Sequence, residues 1–211
     1  MGSKPLIAHA LRVLEQKKIL LSAIASKDAR DYTRRNLKFY GASVGSHTRH
    51  SLQHFNCLLN NPNVQASYNN AAPATNNLAH NVGRADVVVN MPVLSYDVRG
   101  RGTDIENDLD AATNEINKIV AILGVTPIRD LIDSDHGRSV TVKSIFVDYN
   151  NNDITTYSNI ARELSFIAHH SLHHIAMMDL ILKDFGYDFS DRGDSVGIAP
   201  STAFYNQTKK E

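Results

Sequence analysis

Apolar residues recur at helical spacing in four long stretches of the chain. Over about residues 5–32, Leu6, Leu11, Leu14, Leu20, Leu21 and Ile24 are separated by Lys, Arg, Glu and Gln, which predicts one amphipathic helix. A second helix is expected to start after Gly45, with Ser46 as its cap, and to run through His54 to about Asn60. The third has Thr103 and Glu106 at capping-box spacing and carries Ile105, Leu109, Ala112, Ile116, Ile119 and Leu123 as far as Gly124. The fourth spans about residues 155–185 and stops at Gly186.

The intervening segments read differently. Residues 62–83 are rich in Asn, Ala and Pro and predict a long loop. Val87-Val88-Val89 and Val93-Leu94 suggest a short strand that Pro92 interrupts, and the alternation of residues 140–147 suggests a half-buried strand. From Tyr187 onward, Gly193, Gly197 and Pro200 predict an irregular tail. The expected fold is all-α: one four-helix-bundle domain over residues 1–211, with one or two short β-strands in its connections.

Composition narrows the setting. The chain has 22 basic and 22 acidic residues, so no net field favours nucleic acid or anionic lipid, and neither partner is expected. Cys57 is the sole cysteine and lies in an apolar run, which suits a small buried hydrophobe in a reducing compartment. No apolar run reaches the roughly 18 residues of a membrane span, and the first residues, Met-Gly-Ser-Lys-Pro, lack the pattern of a secretion signal. A soluble, cytoplasmic protein is expected, with a homodimer left open.

Histidine changes the picture most. The fourth predicted helix carries His169, His170, His173 and His174, two His-x-x-x-His pairs, each able to hold one ion from one helix face. A stripe through Leu164, Ser171, Ile175, Met178 and Leu182 defines its apolar centre. His170 and His174 lie about 100° from that centre and His169 and His173 about 160° away, which favours the first pair without settling the choice. Two ligands hold an ion weakly, and His47, His50 and His54 form a stripe on the second helix that offers a third. His9, His80 and His136 stand alone and read as structural.

Two stretches carry a family resemblance. Ser43-Val-Gly-Ser-His-Thr-Arg-His50-Ser-Leu-Gln-His-Phe55 and Arg162-Glu-Leu-Ser-Phe-Ile-Ala-His-His170-Ser-Leu-His-His174-Ile-Ala resemble the second and last helices of the DinB/YfiT-like superfamily of metal-dependent enzymes. Tyr96-Asp-Val-Arg-Gly-Arg and Gly197-Ile-Ala-Pro-Ser-Thr202 resemble segments of one uncharacterised branch of it. The Asn-rich loop and Ala203-Phe204 depart from that pattern. The resemblance implies a four-helix bundle with one divalent metal on His50, His170 and His174. It also implies a small-molecule substrate, with thiol S-transferase or isomerase chemistry using a low-molecular-weight thiol among the known activities.

Three neutral imidazoles leave a divalent ion its full charge, enough to acidify a thiol for S-transfer or a water for hydrolysis. Zinc is the first expectation, and nickel, iron and manganese are allowed because imidazole serves them all. Thiol transfer is the leading expectation and a hydrolase the alternative. A non-catalytic metal-binding or scaffold protein is the alternative of another class. Glu163 is a candidate general base, though seven residues place it about 10 Å along the axis from His170. Tyr96 and Asp97 are candidate partners for ligand histidines. Arg99 and Arg101 are candidates for binding a substrate carboxylate, or for structural pairing with Asp97, Glu106 or Asp108.

Overall fold

The computed structural model describes residues 3–69, 92–98, 100–134, 140–147, 153–190 and 196–198, and single positions 202, 205 and 208. The elements run α1 (Ser3–Lys27), α2 (Val44–Leu59), α3 (Pro62–Asn69), β1 (Val93–Leu94), α4 (Asp104–Asn107), α5 (Leu109–Gly124), α6 (Thr126–Ser134), β2 (Val140–Val147), β3 (Asp153–Ser158) and α7 (Ile160–Asp184). The described chain is thus mainly helical, with a small sheet.

The four long helices enclose the core. α1 packs against α5 and α7, and α2 packs against the same two. Leu14, Leu20 and Ile24 of α1 are fully buried with Leu52, Phe55 and Leu58 of α2, Ile116 and Ile119 of α5, and Leu164, Ile175 and Met178 of α7. Each such side chain contributes roughly 1.5–3 kcal/mol by leaving water. The apolar stripe read on the last helix is buried at every position, Ser171 included.

Helix ends follow local polar chemistry. Ser43, not Ser46, caps α2: its hydroxyl accepts from Ser46 N, and Ser46 Oγ accepts from Ser43 N, closing a reciprocal box. The first helix is shorter than its apolar pattern suggests. It ends at Lys27, and Asp28 caps a 3-10 turn, Ala29–Tyr32. The third predicted helix is two helices. Asp108 is extended, and its carboxylate accepts from Asp110 N and Ala111 N, so it starts α5 anew after the short α4. Thr103 makes no side-chain cap; the Glu106 carboxylate accepts from Gly102 N at 2.7 Å and lies 3.1 Å from Arg49 Nε.

The sheet has the order β1-β2-β3, parallel on one side and antiparallel on the other. Pro92 sits just ahead of β1, and its carbonyl accepts from Thr141 N at 2.8 Å, so the ring costs the ladder nothing. Residues 153–158, expected partly as helix, are instead strand β3, as β-branched Ile154, Thr155 and Thr156 with Tyr157 favour. Asn159 then caps α7 through Arg162 N at 2.8 Å. The first part of the expected Asn-rich loop is helix α3, and α6 had no counterpart in the pattern. Val87-Val88-Val89 and the rest of that loop from residue 70 lie outside the described residues. No described helix is long and apolar enough to cross a membrane.

Candidate metal centre

The packing of α2 against α7 brings the two histidine stripes face to face. His170 Nε2 lies 3.3 Å from His50 Nε2 and 3.1 Å from His174 Nε2. The three rings are nearly perpendicular in pairs, at 84° (His50–His170), 88° (His50–His174) and 78° (His170–His174). Nitrogens bound at about 2.0–2.1 Å to one tetrahedral ion lie about 3.3 Å apart, so the spacing fits a divalent metal. A neutral imidazole nitrogen either donates one hydrogen or accepts, so His170 Nε2 cannot make two full hydrogen bonds to these neighbours.

His47 backs this set. Its Nδ1 is 2.8 Å from His174 Nδ1. With His174 Nε2 given to an ion, His174 Nδ1 carries the proton and donates it to His47 Nδ1, which places the His47 proton on Nε2. Among the described residues that buried Nε2 has no hydrogen-bond partner. Burial, then the charges of Lys17 and His173, lowers the His47 pKa to about 4. Burial also drives His174 far below the ordinary histidine value, with His170, His47, His50 and Lys17 adding to it. Both rings are therefore neutral at neutral pH, the form that coordinates a metal.

His54 belongs to the same assembly. One of its ring nitrogens and one each from His50 and His170 all lie within 4.8 Å of one another. The ring stacks on His170 at 4.3 Å and on Tyr96 at 4.8 Å, and is 4 % exposed. The outward pair behaves as its wheel position suggests: His169 and His173 are exposed, with the His169 ring beside His9 at 5.6 Å. His80 and His136 lie outside the described residues.

A cavity of about 340 Å³ opens beside the cluster. His50, His54 and His170 line it with the aromatic rings of Tyr96 and Phe166 and with the exposed Lys143 and Arg162. The β2–β3 hairpin supplies Val142, Lys143, Ser144 and Thr156, a contribution hidden in the sequence because β3 read as the start of a helix.

Glu163 is fully buried and engaged on every side. Its Oε2 accepts from Tyr96 OH at 2.9 Å, and its Oε1 accepts from Ser158 Oγ at 2.5 Å and from the Arg162 guanidinium at 2.6 Å. This carboxylate ties β3, α7 and the Tyr96 segment together. Burial first, then Glu163, pushes the Tyr96 phenol well above its ordinary pKa, so it stays a neutral donor. Asp97 lines the cavity beside Tyr96. Arg101 is exposed, and Arg99 lies outside the described residues. Of the acids weighed as their partners, Glu106 pairs with Arg49 and Asp108 caps α5. Cys57 is half-buried, its thiol 3.6 Å from Ser95 O and raised in pKa by burial, away from a reactive thiolate. Compared with known proteins, the chain matches no family model, no curated protein and no solved structure.

Proposed function

We propose that the chain is a DinB-like four-helix-bundle enzyme of the cytoplasm, holding one divalent ion, zinc in first place, on His50, His170 and His174. Its reaction is S-transferase-type chemistry on a small molecule in the adjoining cavity, with a low-molecular-weight thiol as cosubstrate. The observation that carries the reading is the convergence of three Nε2 atoms at 3.1 and 3.3 Å on mutually steep rings. A divalent ion on neutral imidazoles supplies Lewis acidity that makes a thiol or a water easier to deprotonate.

The protein groups around it have separable tasks. His47 holds the tautomer of His174. Tyr96 and Phe166 supply an aromatic wall against which a small substrate can be desolvated. Glu163 anchors that wall through Tyr96 and is too committed to serve as a base. A metal-dependent hydrolase is the second reading, and Asp97 on the cavity wall is the carboxylate that favours it.

The test is a screen of zinc-loaded protein against electrophilic small molecules with and without a small thiol. Thiol-dependent turnover that His50→Ala removes supports the proposal. Turnover indifferent to thiol supports hydrolysis. Full zinc occupancy without any turnover supports a non-catalytic binding or scaffold role.

A further inference from the structure

The histidines of α2 and α7 are arranged more symmetrically than a three-ligand site requires. His50 and His54 stand four residues apart on α2, as His170 and His174 do on α7. Within each pair the rings meet edge to face with nearly the same geometry, 4.8 Å and 87° on α2 against 4.6 Å and 78° on α7. His50 and His170 form a shared edge: each has ring contact with the other and with both remaining histidines. His174 completes a triad on one side of that edge and His54 on the other, the side that lines the cavity.

We infer that His54 is a fourth ligand, so that two facing His-x-x-x-His pairs hold one ion and His54 closes the coordination position that looks into the cavity. The inference rests on the metal-site reading above. Its nitrogen lies within 4.8 Å of those of His50 and His170, and ligands of one tetrahedral ion stand about 3.3 Å apart, leaving at most about 1.5 Å to close. The His54 ring lies nearly parallel to His170, at 21°, so coordination requires it to turn about its Cβ–Cγ bond, a soft torsion for histidine. Burial between Tyr96 and His170 leaves that ring little use for solvent. Four neutral imidazoles select a borderline ion such as zinc or nickel over manganese or magnesium. In the absence of substrate the cavity-facing position is then filled by the protein itself.

The experiment is X-ray absorption spectroscopy of the zinc-loaded, tag-free full chain, with zinc affinity measured against a competing chelator, for wild type, His54→Phe and His174→Ala. Phenylalanine keeps the aromatic packing between Tyr96 and His170 and removes only the donor. Four imidazoles in the wild type, three in His54→Phe, and an affinity lowered by more than about a hundredfold are expected, since losing an outer-shell partner alone costs about 10–100-fold. Three imidazoles in the wild type, or an unchanged count and affinity in His54→Phe, overturn the inference while leaving the three-histidine site standing. A wild type that takes up no zinc overturns both.

Discussion

Lys17 is enclosed in α1 with its ammonium nitrogen 2.5 Å from Ser51 Oγ, and no carboxylate pairs with it among the described residues. Burial lowers its pKa to about 7. The groups its charge bears upon are His47 on α2 and His174 on α7, both themselves pushed toward neutrality. Because the folded-state pKa lies below the unfolded value of about 10.4, the unfolded chain binds the extra proton between those two limits. Folding stability from this residue therefore rises with pH from about 7 to about 10, and its cost is fully present below that window. Lys17→Met in metal-free protein is expected to be several kcal/mol more stable than wild type at pH 6, a margin that narrows by about 1.4 kcal/mol per pH unit above 7. Denaturant unfolding of both proteins across that range checks it, and parallel pH curves would contradict it.

At the scale of elements, function depends on how α2 is seated. A Cβ on Gly45 would overlap the Glu106 carbonyl oxygen and press on the Tyr32 ring. Gly45→Ala is expected to cost about 3 kcal/mol or more, a loss that thermal unfolding reads directly. Asp108→Ala removes only an exposed cap and should cost about 1 kcal/mol. A Gly45→Ala protein as stable as Asp108→Ala would show that α2 can move away from α4. The sequence made α2 and α7 legible because amphipathic periodicity and histidine spacing act locally. It hid the break at Asp108, since the apolar period runs through it and only a side-chain cap marks the new start. It hid β3 as well: pairing with β2 is a long-range partnership that overrides the helical reading of Thr155 and its neighbours. The Tyr96–Glu163 contact was beyond reach for the same reason, joining residues 67 apart.

For the whole molecule, the ion would clamp α2 to α7 across the core. An ion that binds the folded chain and not the unfolded one stabilises it by about 2.7 kcal/mol at a hundredfold excess over its dissociation constant. Zinc should therefore raise the unfolding midpoint of wild type, chelator should return it, and His50→Ala should respond to neither. A midpoint indifferent to zinc in the wild type would detach the cluster from metal binding.

Whether the α2 and α7 histidines hold an ion is read most directly from the metal content of protein purified without a polyhistidine tag or chelator. Such protein should carry about one equivalent of a transition metal, as a mononuclear site requires. That ion should be lost in His50→Ala, His170→Ala and His174→Ala and kept in His169→Ala, whose ring faces outward. A folded, metal-free wild type that refuses zinc would contradict the claim, as would loss of the ion from His169→Ala alone.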